Sequence, residues 1–140
     1  TEAIINERPI KVFNNGEMIR DFTYIDDIIE GVFRVIFKTA TSNVNFNKSN
    51  PNSSNSWAPY RIFNIGNSKP VNLSIYIDII EKNLGKKAIK EFLPMQLGDV
   101  KATSADTTLL QDWIGFKPKT SIDYGVNKFI NWYKMYYEIK

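Results

Sequence analysis

Apolar residues recur along the chain with two different periods, and the alternation between them sketches the fold. Ile25, Ile28, Ile29, Val32, Phe33 and Ile36 follow the i, i+3, i+4, i+7 spacing that puts them on one face of an amphipathic helix running from Asp26 to about Lys38. A second stripe, Leu73, Tyr76, Ile77, Ile80 and Leu84, predicts a helix capped by Asn72 or Ser74 and closed by Gly85. A shorter helix is predicted from Thr103 or Ser104 through Leu109, Leu110 and Trp113 to Gly115. The final helix carries Ile122, Val126, Phe129, Trp132, Tyr133 and Tyr136 behind Thr120 and Asp123, which stand three apart as in a capping box. Four stretches read as extended. Ile10 to Phe13 runs into an Asn14-Asn15-Gly16 turn, and the chain resumes from Arg20 to Ile25. Arg61 to Asn67 is nearly continuous in apolar character at Ile62, Phe63 and Ile65, as expected of a strand covered on both faces, and Ala88 to Leu93 stops at Pro94. Strands alternating with helices place the chain in the α/β class.

Residues 41–56 interrupt this rhythm. Six Asn and five Ser stand there with only Val44 and Phe46 as apolar residues, too little to offset the cost of ordering the backbone, so a flexible insertion is expected. A solvated surface loop without a role of its own is the plainer reading of such a tract. Thr1 to Glu7 reads as the last turn or two of a helix already under way, with no initiator Met, and the chain is expected to be a piece of a longer one.

Composition then narrows the chemistry. The 140 residues, 43% of them hydrophobic, suit one domain with a proper core. There is neither Cys nor His, which excludes disulfides, thiol nucleophiles, the usual zinc sites and the serine–histidine triad. Lys and Arg number 18 against 15 Asp and Glu, yet the charges are dispersed through both halves, so nucleic acid is not an expected partner. No apolar run approaches the roughly 18 residues that span a bilayer, and the first residues are acidic where a signal peptide is positive. No membrane partner is expected, and the expected location is cytoplasmic.

Four places carry side chains that packing does not explain. Beyond the Gly16 turn, Arg20 presents a planar guanidinium able to clamp a phosphate or carboxylate, the alternative being a surface salt bridge with Asp21 or Asp26. Asp26 and Asp27 are paired carboxylates, but at a helix start they are expected to accept backbone N–H bonds and complement the dipole rather than to do acid–base work. In Met95-Gln96-Leu97-Gly98-Asp99 a glycine turn sets an amide and a carboxylate three residues apart. Gln96 could then donate to a phosphate oxygen and Asp99 accept from a sugar hydroxyl, unless this is an ordinary Gly-Asp loop. Trp132, Tyr133, Tyr136 and Tyr137 read as a docking face. No GxGxxG fingerprint follows any strand, so no dinucleotide pyrophosphate site of the usual kind is expected in this chain. Tyr124 and Lys128 stand four apart but lie within a helix, and read as coincidence.

With these residues quoted, a resemblance emerges. The runs Pro9 to Asn14, Gly16 to Arg20 and Arg20-Asp21-Phe22-Thr23-Tyr24-Ile25-Asp26-Asp27 to Gly31 are similar to the C-terminal part of nucleotide-sugar epimerases of the extended short-chain dehydrogenase/reductase superfamily. So, in the same order, are Ala58 to Ser68, Leu93 to Val100, Thr103 to Asp106 and Gly115 to Thr120. The likeness extends over nearly the whole chain outside the Asn/Ser insertion and is greatest to the UDP-glucuronate 4-epimerases. It implies a substrate-binding portion, residues 1–140, with one strand (Ile62 to Gly66) and one helix (Asp26 to Lys38) that complete a Rossmann sheet supplied by an absent N-terminal domain. That domain would hold NAD and the catalytic Tyr–Lys pair, leaving this chain with no catalytic residue and no cofactor of its own. By the same resemblance Lys11 to Phe13 would meet uracil through backbone groups, Arg20 would hold the diphosphate, and Gln96 to Asp99 would contact phosphate and ribose or sugar. Relatives acting on neutral UDP-hexoses often carry Arg where Gln96 stands, which favours the glucuronate branch.

The resemblance therefore implies the UDP-sugar-binding part of an NAD-dependent isomerase. It would serve inversion at C4 through a 4-keto sugar, in surface or capsular polysaccharide synthesis, and would be inactive alone. The competing expectation is a stand-alone UDP-sugar-binding or regulatory module. Expected partners are UDP-glucuronate or UDP-galacturonate, the N-terminal Rossmann domain, and a second copy of the chain paired through the apolar surface that the missing domain would cover.

Overall fold

The computed structural model of the protein describes residues 1–139. In chain order its elements are α1 (Glu2–Ile5), β1 (Ile10–Phe13), β2 (Ile19–Arg20), α2 (Ile25–Ile36), β3 (Val71–Asn72), α3 (Leu73–Leu84), β4 (Lys90–Leu93), α4 (Thr108–Ile114) and α5 (Ile122–Tyr136). The architecture is α/β, as the alternating pattern predicts. β1 pairs with β4 in parallel, Ile10 opposite Lys90 and Phe13 opposite Leu93, and β2 pairs antiparallel with β3. A tight turn at Asn14–Gly16 joins β1 to β2 with all three residues at positive φ, a conformation that Asn and Gly accept most readily.

Helix ends follow local chemistry, with three departures from expectation. At α3 the Asn72 carboxamide accepts from the Ser74 N–H at 2.8 Å, and Gly85 closes the helix at φ +68°. The N-cap of α5 is Ser121, whose hydroxyl accepts from the Tyr124 N–H; no Thr120–Asp123 box forms. α4 starts at Thr108 instead of Thr103 or Ser104, because residues 101–103 are engaged along β2: Ile19 N–H donates to Lys101 O at 2.9 Å and Thr103 N–H to Ile19 O at 3.1 Å. Asp27 does not cap α2. It is buried, and its carboxylate accepts from the N–H groups of Lys119 and Thr120, tying α2 to the segment that precedes α5.

The main core sits between α3 and α5, where Ile79 and Ile80 meet Val126 and Ile130, with Ile4 of α1 closing one end. Phe22 stacks on Tyr76 at 4.2 Å between ring centroids, and burial pushes the Tyr76 phenol up. α2 packs differently. Its apolar stripe is largely open to solvent, with Ile29 59% and Ile36 65% exposed.

Residues 62–67 form neither a strand nor a ladder among the described residues, so the expectation of a strand covered on both faces is not met. Phe63 and Ile65 turn inward while Ile62 and Asn64 face out, the alternation of a strand with one bare side. The 41–56 segment forms neither helix nor strand. Its asparagines build local turns, with Asn43, Asn47 and Asn52 side chains accepting from N–H groups two residues on. Asn43 Nδ2 also donates to Asn55 Oδ1 and closes the loop.

Candidate functional site

Arg20 ends β2 and is held from three directions. Its Nη1 donates to Ile19 O at 2.9 Å and to Lys101 O at 3.3 Å, while Nη2 donates to Asp99 Oδ1 at 2.8 Å. The partner is thus neither Asp21 nor Asp26 but a carboxylate from the Gln96–Asp99 turn, 79 residues away. Asp99 is fixed in turn by the Val100 N–H at 2.8 Å, and the Asp99 N–H donates to Gln96 O. Both charged side chains remain partly open, 24% for Arg20 and 35% for Asp99. A guanidinium has five donors and three are used here, so Nε–H and one Nη2–H stay available to an incoming anion among the described residues.

Gln96 lies on the same exposed turn, so the structure brings together Arg20, Gln96 and Asp99. Lys11 and Phe13 form a separate edge. Because Ile10 N–H donates to Ile89 O, the backbone groups of Ile10 and Val12 face β4, and those of Lys11 and Phe13 point to the opposite edge of β1, which is unpaired among the described residues. That edge offers N–H and C=O groups side by side, the complement of a planar heterocyclic imide. Val12 is buried and Lys11 exposed, so the strand is anchored on one face only.

The sequence pattern does not single out Asp21. Its Oδ2 accepts from Ser68 N–H at 2.9 Å and Ala105 N–H at 3.2 Å, and Oδ1 accepts from Lys69 N–H at 3.3 Å. Ser68 Oγ donates to Ala105 O and lies 3.0 Å from Thr107 Oγ1. Gly66 permits this approach, since a Cβ there would lie 3.0 Å from Asp21 Oδ2 and 2.6 Å from the Ala105 Cβ. The only hint in the sequence is that Asp21 follows Arg20 directly. Tyr124 and Lys128 are joined by a cation–π contact, Nζ 5.3 Å from the ring centroid, on the exposed side of α5.

Known proteins supply the context. Residues 1–66 match the model of the NAD dependent epimerase/dehydratase family. The chain is 46% identical over 138 residues to protein CapI of Staphylococcus aureus, a match that covers 99% of this chain and 41% of that protein. Over residues 1–66 the chain resembles the NAD dependent epimerase/dehydratase family. It is also 41% identical over 138 residues to a probable UDP-glucuronate 4-epimerase of Rhizobium meliloti, covering 97% of this chain and 40% of that one. Its fold matches the UDP-glucuronic acid 4-epimerase from Bacillus cereus solved with UDP-glucuronic acid and NAD, with a TM-score of 0.75 and 27% identity over 97% of this chain and 38% of that structure. The chain therefore spans about 40% of the length of the relatives it matches. No helix among the described residues is long and apolar enough to cross a membrane.

Proposed function

We propose that this chain is the UDP-sugar-binding part of a UDP-glucuronate 4-epimerase of the extended short-chain dehydrogenase/reductase class, acting in the cytoplasm in surface or capsular polysaccharide synthesis. The observation that carries this reading is the Arg20–Asp99 pair at 2.8 Å on an exposed turn, a fixed guanidinium with free donors beside a carboxylate. Arg20 would take the diphosphate through paired N–H bonds, which suit a phosphate better than a point charge does. Asp99 would then exchange its salt bridge for ribose or sugar hydroxyls, and Gln96 would donate from the same turn. The unpaired edge at Lys11 and Phe13 would meet uracil. The relatives in this branch bear the name UDP-glucuronate 4-epimerase, and one is solved with UDP-glucuronic acid.

The residues present do not fit a dinucleotide, because no glycine-rich turn joins a strand to a helix N-terminus in this chain. No step of the reaction is therefore assigned to NAD here. In the proposed whole protein, the part that corresponds to the unmatched length of the relatives would hold NAD and the acid–base pair, and would cover α2 and residues 62–66. This chain's residues bind and orient the nucleotide end of the substrate. The test is an NMR titration of UDP and UDP-glucuronate into labelled chain. Shifts are expected at Lys11 to Phe13, Arg20 and Gln96 to Asp99, and Arg20→Ala should weaken binding by at least about tenfold, the scale of a lost charge-assisted bond. A folded sample that shows no shift at saturating UDP overturns the reading.

A further inference from the structure

We propose that Asp21 is the positioning residue of this site: its carboxylate locks the 101–105 segment against β2 and thereby presents the Arg20 guanidinium. The proposal rests on the reading of Arg20 as the diphosphate-binding group. Asp21 faces away from Arg20's own partners and collects three backbone N–H groups from two segments remote in sequence, Ser68 and Lys69 on one side and Ala105 on the other. Ala105 is continuous with Thr103, which donates to Ile19 O, and with Lys101, whose carbonyl accepts from both Ile19 N–H and Arg20 Nη1. Two residues further back lies Asp99, the remaining anchor of the guanidinium. Both fixed points of Arg20 outside its own strand therefore hang on a short segment whose far end is pinned by Asp21. An ionised acceptor of three N–H donors is stronger than the neutral bonds around it, so the carboxylate sets the register of that segment.

The network also explains two local features. Ser68 adopts φ +53°, which aims its N–H at Asp21 while its hydroxyl donates to Ala105 O. Gly66 has no Cβ because one would press on Asp21 Oδ2 and on Ala105 together. The experiment compares wild type, Asp21→Asn and Gly66→Ala, the last displacing the carboxylate without removing it. It follows the Arg20 guanidinium N–H signals by NMR without ligand, and the affinities for UDP and for uridine. The expected result is broadened Arg20 signals in both variants, UDP affinity down at least about tenfold, and uridine affinity changed far less. Loss of UDP and uridine affinity in parallel would show a merely structural residue, and sharp Arg20 signals with unchanged UDP affinity would show no role; either overturns the proposal. If wild type fails to bind UDP, the functional reading falls, and the Arg20 signals alone decide whether Asp21 positions the guanidinium.

Discussion

Glu81 shows how one side chain sets a pH window. It is buried on α3 and accepts from Lys87 Nζ at 2.6 Å, Lys90 Nζ at 2.9 Å and Ala88 N–H at 3.2 Å. The bond from Lys87 first, then those from Lys90 and Ala88, outweigh the opposing effect of burial and hold its carboxyl at about 2. A carboxyl depressed on folding contributes stability that is complete above its ordinary value and is lost as the pH falls toward the folded one. Stability should therefore decline between about pH 4.5 and 2 from this group. Glu81→Gln should flatten that decline and, by leaving two ammonium groups and an N–H short of a charged acceptor, cost on the order of 1–3 kcal/mol near neutrality. Urea unfolding followed at pH 7, 4 and 3 measures both effects, and an unchanged pH dependence in the variant would contradict the assignment.

At the level of elements, caps and tethers make separable contributions. Removing the Ser121 hydroxyl leaves an N–H of α5 without its acceptor, so Ser121→Ala should lower the stability by about 0.5–2 kcal/mol. Thr120→Ala should not do this through the cap, since its side chain makes no such bond; equal losses in urea midpoints would show that the cap had been misplaced. Asp27→Ala is expected to cost more than either, because it strands two N–H groups of the pre-α5 segment at a buried acceptor site. These pairs also show which parts were legible in the sequence. Helices α2, α3 and α5 follow from apolar spacing, and Asn72 and Gly85 from cap chemistry, because each signal is local. The cap falls on Ser121 and not on Thr120 because adjacent hydroxyls compete for one role. The role of Asp27 is not legible locally because its donors lie 92 and 93 residues away. For the site, Arg20 and Asp99 were each visible as candidates from local turns, whereas their contact, and the role of Asp21, depend on how residues 101–105 register against β2.

For the whole molecule the governing fact is an uncovered apolar face. On α2, Ile25, Ile29, Val32, Phe33 and Ile36 are each at least half exposed, and Ile62, in a segment that forms no ladder among the described residues, stands at 50%. Gly31 lets Ile65 lie directly on the helix, since a Cβ there would meet the Ile65 Cδ1 at 2.4 Å. Exposed apolar surface of this kind favours association. Each such side chain gains about 1.5–3 kcal/mol on full burial. The sum of partial gains is comparable with the roughly 4–15 kcal/mol that association costs in lost freedom, so pairing of two copies should be reversible and concentration-dependent. Sedimentation velocity on the chain over a wide concentration range should show a rising weight-average mass, and the double substitution Ile29→Glu with Phe33→Glu, both outward on α2, should abolish the rise while leaving the far-UV dichroism intact. A wild-type chain that stays monomeric at the highest concentration would mean that this face is satisfied without a partner, which would also remove the structural reason for assigning it to a covering domain in the whole protein.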